Sequence, residues 1–236
     1  MTEPLTGAAL ITGASRGIGR AIALRTAALG LDVFLLARDE QALASVAQEC
    51  RAHGVHAASL AGPLTDAGYR EQAVRAAEEA FGAPTVLINN AGTASAQPVQ
   101  SADLAAWQDV MALNFEAAVA LCRAVLPAMI DARRGTIINI SSISGRTAGA
   151  GSAIYSASKF ALNGFSEAMF EDVRDHGIKV SAILPGFVET DLTGSLGLNN
   201  GHMIAASDVA DSVAYVLQAS PRCCPTEIVL RPQHRP

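Results

Sequence analysis

Short apolar runs alternate along the chain with longer segments in which apolar residues recur every three or four positions. Continuous runs such as residues 33–37 predict strands buried on both faces, because a half-exposed strand would alternate apolar and polar residues. The three- and four-residue spacing predicts amphipathic helices. The predicted strands are residues 8–12, 33–37, 55–60, 85–89, 136–140, 180–184 and 227–230. The predicted helices are residues 17–29, 40–53, 69–81, 104–130, 153–176 and 208–219.

A predicted strand followed by a predicted helix recurs six times, and a seventh strand ends the series. Helical crossovers join parallel strands, so the pattern predicts an α/β fold, a doubly wound parallel sheet of seven strands flanked by helices. We find no linker and no internal repeat, and expect residues 1–236 to form a single domain. Ligands bind such sheets beyond the carboxyl ends of the strands, where the strand order reverses.

Composition and charge narrow the function classes. Lys and Arg number 17 against 22 Asp and Glu, a net charge of −5, so we expect no nucleic-acid partner. Charged residues recur too often for a membrane span, and the first residues lack the basic and apolar regions of a secretory leader. We therefore expect a cytoplasmic protein with no membrane partner.

The four cysteines, Cys50, Cys122, Cys223 and Cys224, lack the spacing of metal ligands. A disulfide between the adjacent pair would be strained. Reduced thiols and no metal site are the expectation.

A glycine-rich turn follows the first strand, with Gly13, Gly17 and Gly19 in the pattern Gly-x-x-x-Gly-x-Gly. Glycines allow a tight turn and a close backbone approach, and the N–H groups of the next helix face outward as a pyrophosphate cradle. The common dinucleotide spacing is Gly-x-Gly-x-x-Gly. An ordinary strand-to-helix turn therefore stays open as an alternative.

Two arginines follow the first two strands. Dinucleotide folds that prefer NAD commonly place an acid at the end of the second strand, but this chain has Ala37 and Arg38 there. Arg16 and Arg38 can converge on a 2′-phosphate through charge-assisted hydrogen bonds, which predicts NADP(H) as cofactor. The alternative is that both are solvated, with Arg38 paired to Asp39 or Glu40.

Further motifs follow in order: Asn89-Asn90-Ala91-Gly92, then Ser142, then Tyr155-x-x-x-Lys159. With the glycine turn, they make the chain resemble short-chain dehydrogenases/reductases from residue 8 to about residue 230. The resemblance implies a single doubly wound Rossmann domain that exchanges a hydride between a nicotinamide cofactor and a carbonyl or alcohol. Together with the two arginines, the expected cofactor-binding residues are Gly13, Ser15, Arg16, Gly17, Ile18, Gly19, Arg38, Leu64, Asn90, Ala91, Gly92, Tyr155, Lys159, Pro185, Gly186, Val188 and Thr190.

Tyr155 and Lys159 lie four residues apart and so share one helix face. Reduction of a carbonyl needs a proton donor, and a phenol with a pKa of about 10 is a weak one. Lowering the phenol pKa by two to three units needs roughly 3 to 4 kcal/mol, and a unit charge at 4 Å contributes about 4 kcal/mol, so one ammonium together with an oxidised nicotinamide would suffice. We therefore expect Tyr155 to be the general acid, with Lys159 lowering its pKa.

The resemblance adds two residues to the expected catalytic set. Ser142, thirteen residues before Tyr155, matches the hydroxyl that holds the substrate oxygen, with Ser141 and Ser144 as rivals. Asn114 resembles the asparagine that holds a relay water beside Lys159. Taken alone, an asparagine in a helix is more often a surface or packing residue, so this role of Asn114 depends on the resemblance.

Residues 185–190 resemble the family segment that orients the nicotinamide. Residues 187–206 lack strong periodicity and are expected to form a substrate-binding lid. Arg146 either contacts an acidic group of the substrate or is solvated.

Two departures from the family pattern stand out. Pro63 replaces the aspartate that accepts a hydrogen bond from adenine, which leaves the backbone of Leu64 as a contact. The chain ends without the Gly-Gly tail of acyl-carrier-protein reductases, so we expect a helix-paired homodimer, with a homotetramer as the alternative.

The sequence therefore predicts an NADPH-dependent carbonyl reductase for a small-molecule ketone or aldehyde, or for the alcohol in reverse. One alternative is a 3-oxoacyl-thioester (acyl-carrier-protein) reductase, which would use Arg133, Arg134 and Arg146 as a basic patch. The other is a non-catalytic, nucleotide-binding redox sensor.

Overall fold

The computed structural model describes residues 5–190, 193 and 200–236. Seven parallel strands form one sheet in the order β3-β2-β1-β4-β5-β6-β7, so the strand order reverses between β1 and β4. The predicted fold class is confirmed. The strands are β1 Ala8–Thr12, β2 Asp32–Ala37, β3 Ala57–Ala61, β4 Val86–Asn89, β5 Gly135–Ile140, β6 Ile178–Pro185 and β7 Glu227–Leu230.

Helices cover both faces of the sheet. They are α1 Gly17–Ala28, α2 Glu40–Arg51, α3 Ala67–Phe81, α4 Leu104–Met111, α5 Ala117–Asp131, α6 Ala153–Val173 and α7 Ala206–Gln218. Residues of α1, α2 and α7 share one apolar cluster, and residues of α3, α5 and α6 share another.

The continuous apolar strands are explained by these two clusters. In β1, Ile11 packs into the cluster with α1, α2 and α7, whereas its neighbour Leu10 packs into the cluster on the opposite face. Both side chains are fully buried. Successive strand side chains point to opposite faces, so a central strand covered by helices on both sides must be apolar at every position.

The predicted helix 104–130 is not continuous. A π-helical turn, Ala112–Glu116, separates α4 from α5. Such turns insert an extra residue into a helix and often occur at functional sites. Periodicity missed the break because the residues on both sides of it are apolar.

The N-termini of three helices share one capping chemistry, whereas α1 differs. The carboxylates of Asp39, Asp66 and Asp103 accept hydrogen bonds from first-turn N–H groups of α2, α3 and α4. The N-cap of α1 is Arg16, which makes no side-chain capping bond, and the first turn of α1 has no acidic residue. The positive end of α1 therefore has no carboxylate of its own.

Among the described residues, one helical run, Leu104–Asp131, is long and apolar enough to cross a bilayer by length and composition. Core helices of globular proteins pass the same test. In this chain α5, the second half of the run, packs against the sheet through Leu121, Val125 and Met129, which are buried.

Candidate active site

The glycines of the turn after β1 lie at positions that do not tolerate a side chain. Gly13 and Gly17 have φ values of +65° and +52°, in the left-handed region that favours glycine. A Cβ at Gly19 would lie 2.1 Å from the carbonyl oxygen of Gly13. The first turn of α1 can approach the end of β1 this closely only with glycine at position 19. Ser15 and Ile18, the other predicted turn residues, are both half-buried.

Thr12 joins this turn to the segment after β4. Its Oγ1 accepts hydrogen bonds from the backbone N–H groups of Asn90 and Ala91, both at 2.9 Å. In return, Nδ2 of Asn90 donates to the carbonyl oxygens of Thr12 and Gly13 at 3.0 and 3.2 Å. The turn and the predicted residues Asn90 and Ala91 therefore meet where the strand order reverses. The prediction did not include Thr12, although a threonine directly before Gly13 was a signal for it.

The segment after β6 lies beside the same turn. A Cβ at Gly17 would lie 3.3 Å from Cγ2 of Thr190. Val188 forms a parallel bridge with Ile204, and both are buried. The predicted nicotinamide segment begins with Pro185 and Gly186 at the end of β6. The structure thus brings its last residue, Thr190, next to the predicted phosphate turn.

The turns that hold the two arginines are side by side. The N–H of Ala14 donates to the carbonyl of Leu36 at 3.1 Å, which joins the turn after β1 to the end of β2. Arg16 and Arg38 are both exposed. Asp39, one of the predicted alternative partners of Arg38, uses its carboxylate to cap α2.

Leu64 lies after β3 with its side chain buried among the helices on that face. Its carbonyl accepts a hydrogen bond of 2.6 Å from Nη1 of Arg70. Asp66, two residues on, caps α3. An adenine contact of Leu64 stays a prediction.

Ser142 and Tyr155 meet beyond the carboxyl end of β5. The backbone N–H of Ser144 donates to Oγ of Ser142 at 3.1 Å, and the Ser142 side chain is near enough to Tyr155 to lower the pKa of its phenol. The rival Ser141 instead bonds the carbonyl of Lys159 at 3.3 Å. Of the three candidate serines, Ser142 is the one in contact with the phenol.

Lys159 is buried one turn along α6 from Tyr155. Its Nζ lies 5.9 Å from the centre of the Tyr155 ring and donates to the carbonyl of Ile140 at 2.9 Å. Burial lowers the pKa of Lys159 to about 8. The structure therefore holds a lysine that can give up a proton near neutral pH.

Burial raises the pKa of Tyr155, and the contribution that lowers it comes from the hydrogen bond with Ser142. The expected lowering, by Lys159 together with an oxidised nicotinamide, stays a prediction.

Asn114 lies in the π-helical turn and is buried. Its Oδ1 accepts from the N–H of Thr93 at 2.8 Å, and its Nδ2 donates to the carbonyl of Thr93 and to Oγ of Ser158. A Cβ at Gly92 would lie 3.2 Å from Oδ1 of Asn114 and 3.6 Å from Nζ of Lys159. Asn114 and Lys159 therefore flank Gly92, as the prediction of a relay requires.

A buried network of polar side chains links β4 and β5 to α6, the helix that holds Tyr155 and Lys159. It was not predicted. Nδ2 of Asn89 donates to Oδ1 of Asn139 across the paired strands β4 and β5, and Nδ2 of Asn139 donates to Oγ of Ser166 on α6. The hydroxyl of Ser166 donates to the carbonyl of Leu162. The network fixes α6, which holds Tyr155 and Lys159, against the centre of the sheet. Polar residues inside apolar runs were the available signal.

The predicted basic residues do not form one patch. Arg146 is paired with Glu227 at the start of β7, with its Nε 3.2 Å from the carboxylate. Arg133 and Arg134 donate to the carbonyls of Asp175 and Thr6, at the amino-terminal edge of the sheet. Of these three arginines, only Arg146 lies on the side of Ser142, and there it is paired with the carboxylate of Glu227.

Part of the predicted lid falls outside the described residues. Residues 191–192 and 194–199 of the 187–206 segment are not described. The described ends meet each other, because the N–H of Ile204 donates to the carbonyl of Phe187 at 2.9 Å.

Comparisons with known proteins agree with this geometry. The family model described as short chain dehydrogenase matches residues 7–201. An uncharacterized oxidoreductase of Staphylococcus saprophyticus is 33% identical, over 98% of this chain and 100% of its own length. The 3-oxoacyl-[acyl-carrier-protein] reductase of Escherichia coli is 34% identical, over 88% of each chain.

A crystal structure of a metagenomic short-chain oxidoreductase in complex with NADP is similar with a TM-score of 0.85. It is 36% identical, and the match covers 97% of this chain and 98% of that chain. The chain belongs to the short-chain dehydrogenase family, and it is an oxidoreductase. The predicted family membership is confirmed.

The buried ammonium of Lys159 predicts a pH-dependent stability. The folded chain binds this proton with a pKa of about 8 and the unfolded chain with the ordinary 10.5, so the destabilisation is full below pH 8 and fades as the pH rises toward 10.5. Relative to Lys159→Met, the wild type should gain about 3 kcal/mol of unfolding free energy over that range. Urea unfolding of both proteins between pH 7 and 10 measures this difference.

An exposed arginine provides the control, since arginine does not titrate in this range. The difference between the wild type and Arg75→Met should stay constant with pH. A constant difference for Lys159→Met as well would contradict the lowered pKa of Lys159.

Proposed function

We propose that the chain is a reductase that transfers a hydride from NADPH to the carbonyl of a small ketone or aldehyde, and oxidises the secondary alcohol in reverse. The observation that carries this proposal is the meeting of Ser142, Tyr155 and Lys159 beyond β5, beside the point where the strand order reverses. A protein that only binds nucleotide needs no proton relay, which this phenol, hydroxyl and buried ammonium together can form. The redox-sensor alternative therefore has no support in the site.

The residues around the glycine turn fit a dinucleotide phosphate. The N-terminus of α1 has a positive dipole and neither an acidic side chain nor a capping bond from Arg16, unlike the aspartate-capped α2, α3 and α4. NADP is the ligand of the similar solved oxidoreductase. On this basis, the N–H groups of α1 would hold the pyrophosphate, and Arg16 and Arg38 would hold the 2′-phosphate.

The bound nicotinamide would supply the hydride. Tyr155 would donate its phenolic proton to the oxygen of the substrate as negative charge develops there, and its raised pKa keeps the phenol protonated at neutral pH. Ser142 would hold that oxygen, since its hydroxyl already contacts the phenol. The same hydroxyl would stabilise the phenolate that the proton transfer creates.

Lys159 and Asn114 would return the proton to Tyr155. With a pKa of about 8, Lys159 remains mostly protonated at pH 7 but can release a proton readily. Oδ1 of Asn114 and Nζ of Lys159 both lie within 4 Å of the position that a Cβ of Gly92 would take, so a water held between them would connect Lys159 to solvent. Burial of Lys159 therefore serves proton transfer in this proposal.

A second candidate is reduction of a 3-oxoacyl thioester on a carrier protein. Its support is the 34% identity to the Escherichia coli 3-oxoacyl-[acyl-carrier-protein] reductase. The positions of Arg133 and Arg134 at the far edge of the sheet, and the pairing of Arg146 with Glu227, weigh against the predicted basic patch. We therefore place small carbonyl compounds first.

The proposed acid predicts the effect of Tyr155→Phe. NADPH oxidation should be measured with the wild type and this variant across ketones, aldehydes and 3-oxoacyl thioesters. Loss of one hydroxyl should reduce kcat at least about 100-fold, the usual contribution of a general acid, with little change in NADPH affinity. Tyr215→Phe, an exposed tyrosine on α7, should be unchanged. Full turnover by Tyr155→Phe would exclude the proposed acid.

The proposed phosphate contact predicts that Arg38→Ala weakens NADPH about 10- to 100-fold, because a charge-assisted hydrogen bond contributes about 1.5 to 3 kcal/mol. NADH, which has no 2′-phosphate, should bind as before. Fluorescence titration with both cofactors measures the two affinities, and Arg75→Ala on α3 serves as the exposed control. Equal weakening of NADPH and NADH would rule out this role of Arg38.

We also propose that α5 and α6 form the interface of a homodimer. A groove between them is lined mainly by apolar side chains, including Val119, Leu126, Ile130, Phe165 and Ala168. Only 39% of the most apolar 18-residue stretch within the helical run Leu104–Asp131 is buried within one chain. A second copy of the same helix pair would cover this face.

The proposed interface predicts that Ala168→Glu dissociates the dimer. Ala168 is exposed in the single chain, so the change should leave the fold intact while placing two like charges in the interface. Light scattering after size exclusion should give the mass of one chain for Ala168→Glu and of two chains for the control Ala80→Glu on α3. A dimer that persists in Ala168→Glu would place the interface elsewhere.

A further inference from the structure

The position of the Ser142 hydroxyl depends on the short turn that follows it. Ser142 is the N-cap of a single 3₁₀-helical turn, Ile143–Gly145, after β5. Its Oγ accepts the N–H of Ser144 at 3.1 Å, and its carbonyl accepts the N–H of Gly145 at 2.9 Å. Because both oxygens of Ser142 are bonded to this turn, a displacement of the turn would displace the hydroxyl.

The chain before Ser142 is fixed by β6 and α6. The N–H of Ser141 donates to the carbonyl of Ile183 at 2.8 Å, and its Oγ donates to the carbonyl of Lys159 at 3.3 Å. The ammonium of Lys159 donates to the carbonyl of Ile140 at 2.9 Å. The backbone is therefore held up to position 141, and the orientation of Ser142 depends on what holds the turn on its other side.

The end of the turn is docked on α6 at Asn163, one helical turn after Lys159. Nδ2 of Asn163 donates to the carbonyl of Gly145 at 3.0 Å. A Cβ at Gly145 would lie 2.6 Å from this Nδ2 and 2.9 Å from the carbonyl oxygen of Lys159. The turn therefore approaches α6 this closely only because position 145 has no side chain, and the amide of Asn163 holds its last carbonyl.

The amide of Asn163 is used on one side only. Its Oδ1 is buried and has no hydrogen-bond partner among the described residues. Rotation of the amide by 180° would bring this oxygen against the carbonyl oxygen of Gly145, so Nδ2 must face the turn. A buried acceptor without a partner destabilises a fold. Stability alone therefore does not favour an asparagine at this position, whereas a donor to Gly145 does.

A second contact holds the turn from the side of β7. The guanidinium of Arg146, directly after the turn, is paired with the carboxylate of Glu227. Both side chains are partly open to water, and ion pairs of this kind contribute little. The buried amide of Asn163 is therefore the stronger constraint on the end of the turn.

We infer that Asn163 is a positioning residue for Ser142, and that its hold on the carbonyl of Gly145 keeps the Ser142 hydroxyl beside the phenol of Tyr155. The inference rests on the proposed function, in which this hydroxyl holds the oxygen of the substrate. A displacement of about 1 Å in a group that orients the substrate can lower the rate about 100-fold. Asn163 would act through the turn and take no part in the proton transfer itself.

A double-mutant cycle with Ser142 tests the inference by activity. Asn163→Leu removes the donor at similar volume, so kcat for carbonyl reduction should fall about 10- to 100-fold with no change in NADPH affinity. In a Ser142→Ala background the same change should have little further effect, because the hydroxyl that it positions is absent. Glu167→Leu, exposed one turn further along α6, is the matched control and should retain the kcat of the wild type.

NMR of the tyrosines tests the inference without turnover. The chain has three tyrosines, so ¹³C at the ring carbon that bears the hydroxyl gives three signals, and Tyr155→Phe identifies the one from Tyr155. In Asn163→Leu this signal should move toward its position in Ser142→Ala. In the double variant it should match Ser142→Ala. The signals of Tyr69 on α3 and Tyr215 on α7 should stay in place as internal controls.

An unchanged Tyr155 signal in Asn163→Leu would overturn the inference. An equal loss of kcat in the Ser142→Ala background would also overturn it, because the amide would then act on something other than Ser142. Thermal unfolding checks the variants, and Asn163→Ala, which removes the donor without adding bulk, replaces Asn163→Leu if that variant is not folded. A wild type that reduces no carbonyl would contradict the proposed function, and the NMR comparison would still decide the role of Asn163.

Discussion

The candidate site depends on the contact between the ends of β1 and β4, which Thr12 holds together. Its hydroxyl accepts two backbone N–H groups after β4, while Asn90 donates back to the glycine turn after β1. These bonds tie the two strand ends together where the strand order reverses. The N-terminus of α1 follows one strand end and the Gly92 segment follows the other. Without Thr12, two backbone N–H groups next to the cleft would lose their partner, and each such loss costs about 1 to 3 kcal/mol.

Burial has opposite effects on the two ionisable groups of the site. Desolvation disfavours charge, so it holds the phenol of Tyr155 in its neutral form and brings the ammonium of Lys159 closer to its neutral form. The two pKa values, ordinarily 10.0 and 10.5, thereby move apart, so a proton shared between the two groups favours the phenol. The hydrogen bond from Nζ of Lys159 to the carbonyl of Ile140 and the network through Asn139 and Ser166 hold α6 in place against the cost of burying that charge.

The fold was predictable because a doubly covered parallel sheet requires continuous apolar strands, and residues 33–37 satisfy that requirement without any long-range information. That Tyr155 and Lys159 share one helix face was predictable because their spacing is local, and Ser142 was predicted from the family resemblance. Thr12, the pairing of Arg146 with Glu227, and the contribution of Ser142 to the pKa of Tyr155 were not. Each depends on a partner far along the chain or on burial, and neither is visible in the spacing of residues.

The π-helical turn at Ala112–Glu116 has a consequence for helical phase. One extra residue rotates everything that follows it by about 100° around the helix axis. Asn114 can therefore face Gly92 while α5, one turn later, directs Leu121 and Val125 at the sheet. The helical phase before the π-helical turn sets which residues face the cleft, and the phase after it sets which residues of α5 face the sheet. Residues of α4 can therefore change without rotating the side chains by which α5 packs.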